Sequence, residues 1–117
     1  MHKSLALIQA EESIGALEVL EVKCDVLIPA ALGGVINETN MSKINADFII
    51  EGANQPITIA ADRELRSQGA VIVPDILANS GGVMGSYFEW TQNIQEFSWL
   101  IDKFRRELDS QIGRAHV

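Results

Sequence analysis

Three short apolar runs, each cut off by proline or glycine and followed by small residues, restrict this chain more than any other feature. They are Asp25-Val-Leu-Ile-Pro29, Ala46-Asp-Phe-Ile-Ile-Glu-Gly52 and Ala70-Val-Ile-Val-Pro74. Runs this short, rich in β-branched residues, read as buried strands. Pro29 and Pro74 end the first and third, because proline cannot donate to a ladder. Ala30 to Gly34 form a small-residue turn, and Asn37 to Ile44 read as a short helix. Pro56 to Gln68 read as a longer helix, with Gly69 as its C-terminal stop. Strands alternating with helices predict an α/β fold: a partial parallel sheet of about three strands with flanking helices.

The ends of the chain are less regular. Residues 1–13 carry no firm period, and Gly15 to Lys23 alternate apolar and acidic residues, read as a helix in preference to an edge strand. After Asp75 a loop is expected, then a helical stripe. Val83, Tyr87, Trp90, Ile94, Phe97, Ile101, Phe104 and Leu108 recur at gaps of four and three. The expected role of that stripe is packing rather than chemistry. A dimerising coiled coil fits less well, because the stripe is short and rich in aromatic residues.

Composition removes several classes of function. With 47% hydrophobic residues and mean hydropathy +0.11, the chain has apolar material for a core and is no disordered tail. A net charge of −7 argues against a partner with a phosphate backbone, so no nucleic acid is expected. The densest basic group, Lys103, Arg105 and Arg106, is interrupted by acidic residues and reads as a solvated helix face. The apolar run Leu5 to Ile8 is too short for a signal peptide core, and no stretch is long enough to span a bilayer. A cytoplasmic protein with no membrane partner is expected. Cys24, the single cysteine, precedes an apolar run and reads as a small core residue rather than a reactive nucleophile. His2 and His116 lie at opposite ends, so neither metal-ligand spacing nor a nucleophile–histidine pair is visible, and no metal is expected.

The chemistry should lie where the strands end. In open α/β sheets, ligands bind at the carboxyl ends of the strands. That rule selects Pro29-Ala30-Ala31, Gly52-Ala53-Asn54 and Asn79-Ser80-Gly81-Gly82. At the second, small residues let a flat ligand approach the backbone, and an amide offers both a donor and an acceptor. Gly-Ala-Asn is equally a good turn. At the third, Asn79 or Ser80 can cap the long helix, and the paired glycines leave first-turn amides open to a carboxylate or polar group. A plain capped helix start accounts for it equally well. Ser86, in an apolar and aromatic segment, is either bonded back to its own helix or directed at a ligand. Neither a Gly-x-Gly-x-x-Gly turn nor a P-loop is present.

Taken together, these segments resemble the glutamate/leucine/phenylalanine/valine dehydrogenase family. The resemblance rests on Cys24-Asp-Val-Leu-Ile-Pro-Ala-Ala-Leu32, Glu51-Gly-Ala-Asn54, Val73-Pro-Asp-Ile-Leu-Ala-Asn-Ser-Gly-Gly-Val83, Ser86-Tyr-Phe-Glu-Trp90 and Gln92-Asn93. It covers about residues 16–108, and residues 1–13 match poorly. It implies a Rossmann-like nicotinamide domain followed by C-terminal helices. The implied reaction is the reversible NAD- or NADP-dependent oxidative deamination of an amino acid, in which hydride leaves the α-carbon and water then releases ammonia. By the same resemblance, Ala30 and Ala31 lie beside the cofactor, Asn54 contacts the ribose on its nicotinamide side, and Asn79 reaches the nicotinamide or the substrate. Val83 lines the substrate pocket, and Ser86 bonds the side-chain carboxylate of the substrate. A hydroxyl there suits L-glutamate and 2-oxoglutarate better than the apolar substrates of the leucine, phenylalanine or valine branches. Gly85 departs from the larger apolar residue usual in the family. A break near Gln95 to Ser98 is implied, with a second helix from about Leu100.

The resemblance also implies what is absent. The catalytic lysine and aspartate, the lysine that pairs with the glutamate side chain, the glycine-rich phosphate turn and the acidic residue that reads the adenosine ribose have no counterpart here. The chain is therefore expected to be an inactive fragment, residues 1–111 being the C-terminal part of the cofactor domain, from a homo-oligomer that is commonly hexameric. The strand at Val26 to Ile28 would lack a sheet neighbour. Residues 112–117, Ile-Gly-Arg-Ala-His-Val, match a translated sequencing adapter and are expected to be non-native. Two other classes remain open at this point: a non-catalytic nucleotide-binding module, and an interaction domain that docks a partner on its aromatic helix.

Overall fold

A computed structural model describes residues 14, 15 and 17–114. The readings placed on residues 1–13 and 115–117 lie outside the described residues. Three parallel strands form one sheet: β1 (Cys24–Leu27), β2 (Ala46–Ile50) and β3 (Val71–Val73), in the order β1-β2-β3. The helices are α1 (Ile59–Ser67), α2 (Asp75–Ala78), α3 (Ser80–Ile94) and α4 (Ile101–Arg114). The architecture is the Rossmann-like α/β arrangement expected, an open parallel sheet followed by C-terminal helices.

Register explains which face of the sheet is covered. Leu27 pairs with Ile49, and Ile49 with Ile72. Side chains alternate along a strand, so these three share one face. Ile49 and Ile72 are buried there with Ala61 and Leu65 of α1 and with Ile36, Ile44 and Ile57. Val26, Phe48 and Val71 pair across the opposite face. They remain 47%, 48% and 50% exposed. The expectation that the first run is a buried strand is therefore corrected. β1 is an edge of the sheet among the described residues, and nothing described covers its outer face.

The local elements follow from identifiable signals. Thr58 caps α1, its Oγ1 accepting the Ala61 N–H at 3.3 Å. The helix starts at Ile59 rather than Pro56 because Pro56 and Ile57 are already committed. Ile36 N–H donates to the Pro56 carbonyl, and Thr58 N–H to the Ile36 carbonyl, around a parallel Ile36–Ile57 bridge. Gly69 stops α1 as expected. At φ 99° it takes a conformation that only glycine adopts freely, while its N–H bonds Arg66 and that of Ala70 bonds Leu65. Replacing Thr58 by alanine should lower stability by about 1 kcal/mol, as the lost cap leaves a first-turn amide unpaired; a urea unfolding curve measures it.

Three other expectations are corrected. Asn37 to Ile44 form no helix beyond a single 3-10 turn, Met41–Lys43. Asparagine side chains take the backbone groups a helix would need: Asn37 Oδ1 accepts from Thr39 N–H, and Asn40 Oδ1 from Asn37 N–H. Gly15 to Lys23 likewise yield one 3-10 turn, Glu18–Glu21. The loop after Asp75 is instead the short helix α2, which runs into α3 with only Asn79 between.

The break between α3 and α4 lies where expected. Glu96, at φ 53°, supplies the left-handed residue, and the N–H groups of Glu96 and Phe97 close onto the carbonyls of Asn93 and Gln92. The two helices run antiparallel, since Gly81 faces Ile112 and Gly85 faces Phe104. Between them Phe88 is buried, its ring 5.3 Å from that of Trp99 and 5.6 Å from that of Phe104. Gly85 stands over the Phe104 ring, where an added Cβ would lie at 3.6 Å. Most of the helical stripe is not packed, although Phe104 meets Phe88 and is partly buried. Val83, Tyr87, Trp90, Ile94, Phe97 and Ile101 are all exposed, because Phe88 rather than the stripe faces α4. The helix α4 continues through Ile112 and Gly113 to Arg114.

Candidate functional site

Parallel pairing brings the carboxyl ends of β1, β2 and β3 to one edge. Ala53 N–H donates to the Pro29 carbonyl at 2.9 Å, joining the segment after β2 to the segment after β1. Gly52 permits that junction. A Cβ there would stand 3.0 Å from Ala30 Cβ, too close for any other residue without a shift. Ala30 and Ala31 line an apolar cleft of about 470 Å³ with Leu17, Ile28 and Leu32. Asn54 lines a neighbouring cleft of about 440 Å³ with Gly33, Gly34, Gln55 and Thr58.

Asn54 and Asn79, selected separately from the sequence, meet here. Asn79 Nδ2 donates to Asn54 Oδ1 at 2.7 Å. The same nitrogen reaches the Gly52 carbonyl at 3.4 Å. A carbonyl can only accept, so the Asn79 atom facing it is the amide nitrogen, and Asn54 must present its oxygen. Asn54 Nδ2 and Asn79 Oδ1 then have no hydrogen-bond partner among the described residues. The pair therefore leaves one amide donor and one amide acceptor free, groups of the kind that pair with a carboxamide or a sugar hydroxyl. Asn79 does not cap α3 with its side chain, which corrects one alternative for its role. Ser80 does not cap it either; its Oγ donates to the Leu77 carbonyl at 3.1 Å.

Val83 and Ser86 lie on α3, four and seven residues after Asn79, the residue that directly precedes that helix. Val83 is 72% exposed. Ser86 Oγ donates to the Gly82 carbonyl at 3.1 Å, the bonding back to its own helix that the sequence allowed. Neither Val83 nor Ser86 lines the cleft that Ala30 and Ala31 border.

Two residues at the site carried no role in the sequence reading. Glu51 is buried, and its Oε2 accepts the Asp75 N–H at 2.9 Å. Asp75 in turn uses Oδ2 to accept the Gln55 N–H at 2.9 Å and Oδ1 to accept the Ile76 N–H at 2.6 Å. The available signal was an acidic residue directly before Gly52 and another directly after Pro74, both at strand ends.

The open parallel sheet, with its helices and its strand ends gathered at one edge, defines a Rossmann-like α/β unit. A sequence model of the glutamate/leucine/phenylalanine/valine dehydrogenase family matches residues 2–117, and the chain belongs to that family. The match is wider than the resemblance over 16–108. Glutamate dehydrogenase B of Halobacterium salinarum is 50% identical over 98 residues, which is 84% of this chain and 23% of that protein. The hetero-hexameric glutamate dehydrogenase from Thermus thermophilus, in its leucine-bound form, superposes with a TM-score of 0.80 at 30% identity. That match covers 86% of this chain and 24% of the Thermus chain. For glutamate dehydrogenase from Peptoniphilus asaccharolyticus the TM-score is 0.66 at 39% identity, over 75% and 22% of the two chains. This chain thus spans about a quarter of the length of the relatives it matches.

Proposed function

We propose that this chain supplies the nicotinamide-side wall of an enzyme that converts L-glutamate and water to 2-oxoglutarate and ammonia, reversibly, with NAD or NADP. The observation that carries this reading is the Asn54–Asn79 pair, which leaves an amide donor and an amide acceptor without a partner among the described residues, directly before the helix that bears Val83 and Ser86. When bound there, the nicotinamide supplies an acceptor for the hydride of the substrate α-carbon. Asn54 and Asn79 orient the carboxamide or its ribose, and Ala30 and Ala31 give the ring side a small, apolar border. Val83 bounds the substrate. Ser86 must turn its O–H from the Gly82 carbonyl toward the substrate, since a carboxylate only accepts hydrogen bonds. An intrahelical bond of this kind is a weak competitor for an ionised partner.

The assembly reading is a homo-oligomer of the hexameric kind, and the compartment reading is cytoplasmic. Among the described residues no helix is long and apolar enough to cross a membrane. The function is tested by exchanging residues 16–108 for the matching stretch of the Halobacterium glutamate dehydrogenase. The hybrid should keep glutamate-dependent reduction of NAD or NADP. Ser86→Ala in the same hybrid should raise KM for glutamate by roughly tenfold or more, the value of a hydrogen bond to a charged group. A folded hybrid that prefers leucine or phenylalanine to glutamate overturns the reading.

A further inference from the structure

We infer that Glu51 and Asp75 are positioning residues, a pair of carboxylates that sets the Asn54–Asn79 amide pair in its ligand-ready geometry; this rests on the cofactor-facing role proposed for that pair. Gln55, directly after Asn54, sits at φ 47°, a region that L residues with a side chain occupy at a cost of about 1 kcal/mol or more. Something must hold it there. Two bonds do: the Asp75 carboxylate accepts the Gln55 N–H at 2.9 Å, and the Gln55 carbonyl accepts the Gly34 N–H at 2.9 Å.

Asp75 is itself held. Its backbone N–H is fixed by the buried Glu51 carboxylate at 2.9 Å, and its second oxygen is occupied by Ile76 N–H. Glu51 is anchored by its own backbone, which donates to the Val73 carbonyl at 3.0 Å as β2 meets β3. The bonds therefore run from the sheet, through Glu51, to the start of α2, and back through Asp75 to the residue beside Asn54. Asn54 and Asn79 lie at the two ends of that loop of bonds. One follows β2 by a short bend, and the other ends α2. Their 2.7 Å contact depends on the spacing between bend and helix that the two carboxylates fix. None of the three carboxylate oxygens bonded in this network faces a cation among the described ion pairs, which are Lys43–Glu21 and Arg66–Asp62. Their partners are backbone amides, as positioning requires.

The test uses the 117-residue chain, with hydrogen exchange and NMR of the Asn79 side-chain amide. Asp75→Ala removes a partly exposed side chain and is the variant expected to fold. In it, the Asn79 side-chain amide should exchange at least about tenfold faster, while the backbone amides of Ile49 and Ile72 keep their protection. Glu51→Gln retains an oxygen that can accept the Asp75 N–H, so it should behave as the parent chain does. Unchanged Asn79 exchange in Asp75→Ala overturns the inference. So does parallel loss of protection at Ile49 and Ile72, which would mark a structural role alone. A titration with nicotinamide mononucleotide, which lacks the adenosine half, separates the underlying reading. Binding by the parent chain that weakens about tenfold or more in Asp75→Ala supports both. Absence of binding to the parent chain sinks the cofactor role of the asparagines, while the exchange measurement still decides whether the carboxylates position them.

Discussion

Purified as 117 residues, the chain should show no glutamate-dependent reduction of NAD or NADP, even at high protein concentration. Oxidative deamination needs a base for the substrate amine and for the attacking water. A positioned base contributes about 10²–10⁴ in rate, and holding two reactants in line contributes as much again or more. The strand-end edge offers no such base. Its carboxylates, Glu51 and Asp75, are engaged with the backbone amides of Asp75, Gln55 and Ile76. The rest of the edge is amide, hydroxyl and alanine, none of which titrates near neutrality. No Gly-x-Gly-x-x-Gly turn is present to seat a pyrophosphate on a helix start. The decisive measurement is a fluorimetric assay for reduced nicotinamide with glutamate present and absent. Glutamate-dependent turnover that survives repurification and co-elutes with the chain would require a base that this account does not contain.

The second large effect concerns the two faces of β2. Ile49→Ala should lower stability by about 2–5 kcal/mol, the range for a large buried aliphatic side chain cut to alanine. Ile49 is fully buried at the centre of the sheet, between Leu27 and Ile72. A small domain has only about 5–15 kcal/mol in hand, so this change alone should shift the urea midpoint by roughly 1–3 M. The adjacent Phe48→Ala should cost much less, under about 1 kcal/mol, because Phe48 is half exposed and already spends that area in water. The residues are neighbours in sequence and differ only in the face they take. Equal losses for the two would mean that the outer face is covered, most simply by another copy of the chain.

Much of this was readable in the residues, and the failures share a cause. Strand ends were legible because Pro29, Gly52 and Pro74 impose local geometry whatever surrounds them. Gly69 marked the end of α1 for the same reason. The candidate residues Asn54 and Asn79 were selected by position, yet their mutual bond was not legible, since it depends on how α2 turns the chain back. That turn escaped notice because Asp75-Ile-Leu-Ala78 is too short to show a period. Burial was the least legible property. An apolar run such as Val26 to Ile28 states a preference to be covered, and the sequence does not say by what. The stripe from Val83 to Leu108 made the same promise at helical spacing, yet the structure turns Phe88 inward and leaves Val83 to Ile101 of the stripe outside, with Phe104 set against Phe88.

The order β1-β2-β3 has a consequence for how such a chain acquires its structure. Each strand pairs with the one that precedes it, through connections of roughly twenty residues, so loop closure stays modest at every step. No strand has to be threaded between two already paired. Assembly can therefore advance in one direction, with β2 adding to β1 and β3 to β2, and each addition extends a template already in place. A folding nucleus at the first parallel pairing predicts that Ile49 variants lose more folding rate than variants in α4, which stopped-flow refolding measures.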